Sequence, residues 1–116
     1  MTGRLLSELG ARVLKLEPSE GDRLRHIGPG ANGENSTSFR TLNTNKESIS
    51  LDIGAVAGHQ TLDALLAKCD VLLTDQTTIT DRAPGLDPNA LADQHPHLVQ
   101  CHFSPFGLTG PLAGRA

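Results

Sequence analysis

Hydrophobic and polar positions in the middle of the chain predict a strand, a helix and a second strand in succession. Residues 48–53 alternate polar and aliphatic side chains, which is the period of a strand. In residues 55–68 the leucines recur three and four positions apart, which is typical of an amphipathic helix, and residues 71–73 form an aliphatic run typical of a buried strand. We expect the two strands to lie parallel with a right-handed crossover, and ligands to bind beyond their carboxyl ends, where Asp52 and Asp75 lie.

The same patterns predict elements on either side of this central unit. Residues 3–10 place three leucines on one helical face, and Gly10 is suited to end that helix in a left-handed conformation. Residues 12–17 alternate cleanly up to a proline and predict a strand. Residues 87–91 begin with an Asp-Pro pair typical of a helix start, and residues 98–103 predict the last strand.

Together these elements predict an α/β fold, a Rossmann-like parallel sheet with flanking helices. A helix that leads directly into a strand is half of a crossover unit, so we expect a further strand before it. The sequence ends in a loop after the last predicted strand. We therefore expect residues 1–116 to be one partial domain of a larger protein, incomplete at both ends.

Residues 18–38 are rich in Gly, Pro, Ser, Asn and charged side chains and predict a long excursion from the sheet. Residues 28–33 match the spacing G-x-G-x-x-G. That pattern indicates a dinucleotide site only where it directly follows a strand and opens a helix, and neither condition holds here. We do not assign nucleotide binding to it.

Composition and charge exclude several classes of partner. The net charge is -3 and the basic residues are scattered, which gives no basic footprint for nucleic acid or an anionic membrane. The sequence contains no apolar run of membrane-spanning length, and we expect a cytoplasmic protein. Cys69 and Cys101 are expected to be free thiols. His95 and His97 have no third ligand near them in sequence, so we expect no metal.

Several collinear segments resemble the family III CoA-transferases, which include formyl-CoA transferase, the carnitine and bile-acid CoA-transferases and alpha-methylacyl-CoA racemase. The resemblance covers essentially the whole chain, whereas family members are several times longer. The matching segments are Leu9-Gly10-Ala11-Arg12-Val13-Leu14-Lys15-Leu16-Glu17-Pro18, Gly21-Asp22, Leu42-Asn43-Thr44-Asn45-Lys46, Leu51-Asp52, Asp70-Val71-Leu72-Leu73, His95-Pro96-His97-Leu98-Val99 and Phe106-Gly107-Leu108-Thr109-Gly110-Pro111.

The resemblance implies that CoA moves from an acyl-CoA thioester to a carboxylic acid through aspartyl intermediates, with coenzyme A bound as the acyl-CoA substrate and no metal. The family's nucleophilic aspartate would fall just beyond Ala116, and the catalytic residues near the family's first strand have no counterpart here. We therefore identify no catalytic residue in this chain and expect it to lack transferase and racemase activity by itself. The family forms interlocked dimers, which implies a homodimer of the intact protein.

The resemblance also implies which residues approach CoA. The family's loop before its second strand is matched by residues 42–46, and an Arg after its third strand is best matched by Arg82. The family's third strand commonly ends in Glu-Asn-Phe-Arg-Pro-Gly. In its place this chain has Thr74-Asp75-Gln76-Thr77-Thr78, which removes the aromatic face and adds a carboxylate that would repel phosphate. The loop after residues 98–103 is glycine-bearing and allows close approach to a ligand. The implied CoA-binding residues are Leu42, Asn43, Lys46, Asp75, Gln76, Arg82, Ser104, Phe106 and Gly107.

Two alternatives remain open at this point. Residues 70–75 also resemble the phosphoacceptor strand of a response-regulator receiver, a small α/β module of similar length. A receiver needs an acidic pair after its first strand and a late Lys to complete a magnesium and phosphate site, and this sequence has neither. The other alternative is a non-catalytic remnant of the CoA-transferase family.

Overall fold

The computed structural model of the chain describes residues 1–29, 35–75 and 85–113. The chain divides into two compact units, Met1–Asp52 and Ile53–Ala116. Each unit contains a two-stranded parallel sheet with helices beside it. The predicted α/β class is confirmed, and its hydrogen bonds form two parallel strand pairs.

The first unit is built around the pairing of its two strands. Five residue pairs form the parallel ladder, from Val13 with Lys46 to Glu17 with Ser50. Gly10, at φ +97°, ends the first helix in the left-handed conformation that the sequence predicts. The elements of this unit are α1 (Thr2–Glu8), β1 (Val13–Glu17), a 3₁₀ helix (Arg23–His26), α2 (Thr37–Leu42) and β2 (Lys46–Ser50).

The structure of this unit differs from the sequence analysis in the bounds of one strand and in one additional helix. The predicted strand 48–53 is β2, which begins at Lys46 and ends at Ser50, because its five residues pair with the five residues of β1. Helix α2 was not expected. Its N-terminus is capped by the hydroxyl of Ser36, which accepts a hydrogen bond from the Phe39 N–H at 3.1 Å, and Phe39 is buried.

The second unit packs two amphipathic helices beside its strands. Its elements are α3 (Val56–Leu66), β3 (Val71–Thr74), α4 (Pro88–Gln94) and β4 (Val99–His102). Strands β3 and β4 are parallel neighbours. Among the described residues of this unit, the buried apolar side chains are all leucines, and they are Leu62, Leu66, Leu86, Leu91 and Leu98.

Helix α4 begins as the sequence predicts. The Asp87 carboxylate accepts a hydrogen bond from the Ala90 N–H at 2.8 Å, and Pro88 occupies the first turn. The helix ends at Gln94. The next residue, His95, has a buried ring whose Nε2 lies 2.9 Å from the Asp63 carboxylate on α3. The residue that follows α4 is thus joined to α3 by a polar contact.

A buried carboxylate stands at the carboxyl end of β1. Glu17 is 3% exposed and accepts hydrogen bonds from Arg25 Nε at 2.7 Å and Nη2 at 2.8 Å. It also accepts from Ser48 Oγ at 2.7 Å and from the Asp22 N–H at 2.9 Å. The bonds from Arg25 do most to lower the pKa of Glu17 to about 2, with burial acting in the opposite direction and Ser48 and the Asp22 N–H adding to the decrease.

Within the described ranges, no helix combines the length and apolar character needed to span a membrane.

Replacing Asp87 by Ala should lower the free energy of unfolding by about 1 kcal/mol, because the cap of α4 is lost. Urea denaturation followed by circular dichroism measures this change. Asp93→Ala removes an exposed carboxylate from the same helix and should change stability much less. Equal effects of the two substitutions would contradict the capping role of Asp87.

Glu17 should make the protein sensitive to acid. Its folded-state pKa lies below its ordinary value, so its ionised form contributes stability that is fully present above that ordinary value of 4.5 and is lost as pH falls through about 2. The contribution at neutral pH is roughly 3 kcal/mol at most. Glu17→Gln should therefore lower stability at pH 7 and flatten the decline in acid, measured by urea denaturation at a series of pH values.

The control is Glu47→Gln. Glu47 is exposed and pairs with Arg12 at 2.7 and 2.9 Å, so its replacement should have a small effect at any pH, as exposed ion pairs usually do. A Glu17→Gln variant that loses stability in acid as steeply as the unsubstituted chain would show that Glu17 is not the group responsible.

Candidate functional site

The two strands of the first unit present polar side chains on one face. In this register Lys15 pairs with Ser48, and Glu17 and Lys46 lie two residues away from them on their own strands. Because strand side chains alternate between faces, all four share one face of the sheet. Lys15, Glu17 and Lys46 have hydrogen-bond partners between β1 and β2, and Ser48 donates to Glu17.

Lys46 is a half-buried ammonium whose partner is neutral. Its Nζ donates to the side-chain oxygen of Asn43 at 2.9 Å. In the described part of the chain, no carboxylate forms an ion pair with it. Burial lowers the pKa of Lys46, and the charge of Lys15 lowers it further, while Asp22 acts in the opposite direction. An ammonium has three N–H donors, so Lys46 can still bind an anion.

Lys15, the neighbouring cation on the same face, is neutralised. Its ammonium forms an ion pair with Asp22 at 2.5 Å. Asp22 also caps the 3₁₀ helix by accepting from the Leu24 N–H at 2.8 Å. Burial acts to raise the pKa of Asp22, but its bonds with Lys15 and Leu24 outweigh burial and lower it. The two lysines therefore differ: Lys15 has a carboxylate partner and Lys46 an amide.

The end of α2 brings three of the predicted CoA-binding residues together. Leu42 is the last residue of α2 and Asn43 follows it. Both the backbone N–H and the side-chain amide of Asn43 donate to the Phe39 carbonyl, at 3.0 and 2.9 Å, which orients the amide oxygen toward Lys46. From the sequence, Lys46 was expected in the loop before the strand, whereas in the structure Lys46 is the first residue of β2.

A shallow open depression of about 430 Å³ lies along the outer side of α2. It is lined by Thr37, Arg40, Thr41 and Thr44. The hydroxyl of Thr44 donates to the Arg40 carbonyl at 2.9 Å. The sequence did not suggest this surface, because α2 itself was not expected.

The remaining predicted residues that can be located lie in the second unit. Thr74 pairs with His102, and the Phe103 N–H donates to the Thr74 carbonyl at 2.8 Å, so β3 and β4 end at the same edge. Asp75 directly follows β3 and is exposed. Ser104, Phe106 and Gly107 lie in the loop after β4, with Phe106 exposed and Gly107 at φ +83°.

Gln76 and Arg82, the other two predicted residues, lie outside the described residues.

His102 is a polar residue at the end of β4 that the sequence analysis did not single out. The side-chain amide of Gln100 donates to the Pro88 carbonyl at 3.1 Å, so its oxygen faces His102 Nε2 at 3.2 Å and accepts from it. Nδ1 of His102 is buried and has no hydrogen-bond partner in the described part of the chain. The sequence signal that could have identified His102 is its position at the end of a predicted strand, before a glycine-bearing loop.

Among residues 1–29, 35–75 and 85–113, no group of three or more His, Cys, Asp or Glu side chains is arranged to hold a metal ion.

Comparison with known proteins gives consistent matches in sequence. The chain matches the family described as CoA-transferase family III over residues 1–116. It is 36% identical to the succinyl-CoA:glutarate CoA-transferase of Homo sapiens over 112 residues, which are 96% of this chain and 26% of that protein. It is 34% identical to the cinnamoyl-CoA:phenyllactate CoA-transferase of Clostridium sporogenes over 113 residues, which are 94% of this chain and 27% of that protein.

Comparison with solved structures agrees with these sequence matches. A CAIB/BAIF family protein from Brucella suis superimposes with a TM-score of 0.88 and 34% identity over 98% of this chain and 31% of that one. The chain thus spans about a quarter to a third of the length of these relatives. The receiver-like alternative gains no support from these matches. Because the family match extends over residues 1–116, the chain belongs to CoA-transferase family III.

Proposed function

We propose that this chain supplies part of the CoA site of an enzyme that transfers CoA from an acyl-CoA thioester to a carboxylic acid. The observation that carries the proposal is the half-buried Lys46 ammonium, which has a neutral amide as its side-chain partner. The diphosphate and the 3′-phosphate of CoA are anions that such a cation can bind. Charge-assisted hydrogen bonds of this type contribute roughly 1.5 to 3 kcal/mol each.

The names of the relatives support CoA as the ligand. One acts with succinyl-CoA and glutarate, and another with cinnamoyl-CoA and phenyllactate. Their acids differ in size and polarity, whereas CoA is common to both. A binding residue in a segment that aligns with both proteins is therefore better explained by CoA than by either acid.

In this proposal Lys46 contacts a phosphate of CoA, and Asn43 holds the ammonium in place. The family resemblance implies Arg82 as a second cation for CoA, and Leu42 is proposed to contribute apolar contact next to Asn43. Asp75, Gln76, Ser104, Phe106 and Gly107 are proposed as further CoA-binding residues on the family resemblance alone. The proposal assigns the covalent steps at an aspartate carboxylate to no residue of this chain. The intact protein is proposed to be a cytoplasmic homodimer.

Replacing Lys46 by Ala should weaken CoA binding about tenfold to a hundredfold, because one charge-assisted contact to phosphate is lost. It should also flatten the salt dependence of binding, since one fewer charge is screened. Isothermal titration of the chain with CoA at two salt concentrations measures both effects. Adding Arg82→Ala should weaken binding further.

The matched control is Lys68→Ala, which removes the same charge from an exposed position just after α3. This variant should bind CoA as the unsubstituted chain does. If Lys46→Ala and Lys68→Ala bind CoA equally well, Lys46 does not contact the nucleotide and the proposed site is wrong.

A further inference from the structure

We propose that Glu17 is a positioning residue of the CoA site: its carboxylate holds Arg25 against Phe39 and thereby fixes the end of α2. That end carries Asn43, the hydrogen-bond partner of Lys46. The inference rests on the proposed function, because it names a residue that acts on the same site without touching CoA.

The first step is the contact between Glu17 and Arg25. The guanidinium donates through Nε and Nη2 to the two carboxylate oxygens, at 2.7 and 2.8 Å. A bidentate pair of this kind fixes the plane of the guanidinium as well as its position. The third nitrogen, Nη1, donates to the Asn35 side chain at 2.7 Å. Arg25 is therefore held at both ends of its guanidinium.

The second step is the contact between Arg25 and α2. The guanidinium carbon of Arg25 lies 3.9 Å from the ring centroid of Phe39, within the range of a cation–π interaction. Ser36, which is fully buried, joins the same two elements through the backbone. Its N–H donates to the Arg25 carbonyl at 2.9 Å, its hydroxyl donates to the Leu24 carbonyl at 2.6 Å, and the same hydroxyl caps α2.

The third step leads from Phe39 to the site. The Phe39 carbonyl accepts both N–H groups of Asn43, and the amide oxygen of Asn43 accepts from Lys46. A displacement of the Phe39 turn would therefore move the amide oxygen away from the ammonium. Each contact in this series is a hydrogen bond or a ring contact between described residues.

Glu17 also reaches the other side of the site. Its Oε1 accepts from Ser48 Oγ at 2.7 Å, and Ser48 lies two residues after Lys46 on the same face of β2. The hydrogen bond between Asn43 and Lys46 joins α2 to β2. Glu17 contacts β2 directly through Ser48 and reaches α2 through Arg25, whose guanidinium lies over Phe39. The Glu17 carboxylate thus fixes the separation of the Asn43 amide and the Lys46 ammonium.

The test is the titration of Lys46, followed by the ¹³Cε chemical shift in the labelled chain, with Glu17→Gln as the variant. We expect the pKa of Lys46 to rise toward its ordinary value, because a displaced α2 exposes the ammonium to water. Loss of a nearby negative charge would act in the opposite direction, so the sign of the change separates positioning from simple electrostatics. The charged groups that face Lys46, Lys15 and Asp22, are unchanged in this variant.

The control is Glu47→Gln, which removes a bidentate arginine partner from the opposite face of the same strands. It should leave the Lys46 titration unchanged. Phe39→Leu serves as a second variant, since it keeps an apolar side chain under Arg25 but removes the aromatic face. If Glu17→Gln does not fold, Phe39→Leu decides: a raised Lys46 pKa supports the proposal and an unchanged one overturns it.

Titration with CoA adds a readout that a general loss of stability would not give. Glu17→Gln should weaken CoA binding about fivefold or more, the size of coupling expected within one hydrogen-bond network. In the Lys46→Ala background the same substitution should have little further effect, because its action passes through Lys46. If Glu17→Gln weakens CoA binding equally in the unsubstituted chain and in the Lys46→Ala variant, Glu17 does not act through Lys46 and the positioning role is overturned.

The two hypotheses can fail separately. If the unsubstituted chain does not bind CoA, the proposed function fails, while the Lys46 titration still tests the positioning by Glu17. If CoA binds and a folded Glu17→Gln variant leaves the Lys46 titration unchanged, Glu17 does not position the site, and the proposed function stands.

Discussion

The first unit depends on the satisfaction of one buried carboxylate. An ionised carboxylate removed from water costs several kcal/mol unless it is paired and hydrogen-bonded. Glu17 is 3% exposed, and its partners come from three places: the start of the excursion at Asp22, the 3₁₀ helix at Arg25 and β2 at Ser48. The excursion between β1 and β2 has few apolar side chains to pack. Hydrogen bonds to Glu17 therefore hold it against the strands, as a hydrophobic core does in other folds.

The elements that the sequence predicts well are those with local signals. Gly10 ends α1 and Pro18 follows β1, because each residue restricts the backbone at its own position. The Asp87-Pro88 pair starts α4 for the same reason. Helix α2 has six residues, too few for a helical period to be visible. Its position depends on Arg25, which is distant in sequence from Phe39, and no local pattern contains that contact.

In the candidate site, too, some features could be predicted from the sequence and others could not. The resemblance to the CoA-transferases implied both Asn43 and Lys46 as CoA-binding residues, but it did not contain the hydrogen bond between them. Nor could the sequence distinguish the two lysines of this face, because both lie in or beside a strand. Only the structure pairs Lys15 with Asp22 and leaves Lys46 with an amide partner. Side-chain pairing is set by the fold of the excursion, and a strand pattern does not encode it.

The place of Lys46 at the start of β2 has a consequence for ligand binding. A lysine in a loop must lose backbone as well as side-chain freedom when it binds an anion, and both losses reduce affinity. The Lys46 backbone is already paired with Val13 in the ladder, and its alkyl chain passes close to Gly3 of α1. Its ammonium is already directed by Asn43. For the phosphate proposed to bind here, most of the ordering is therefore complete beforehand, and more of the charge-assisted contact can appear as binding free energy.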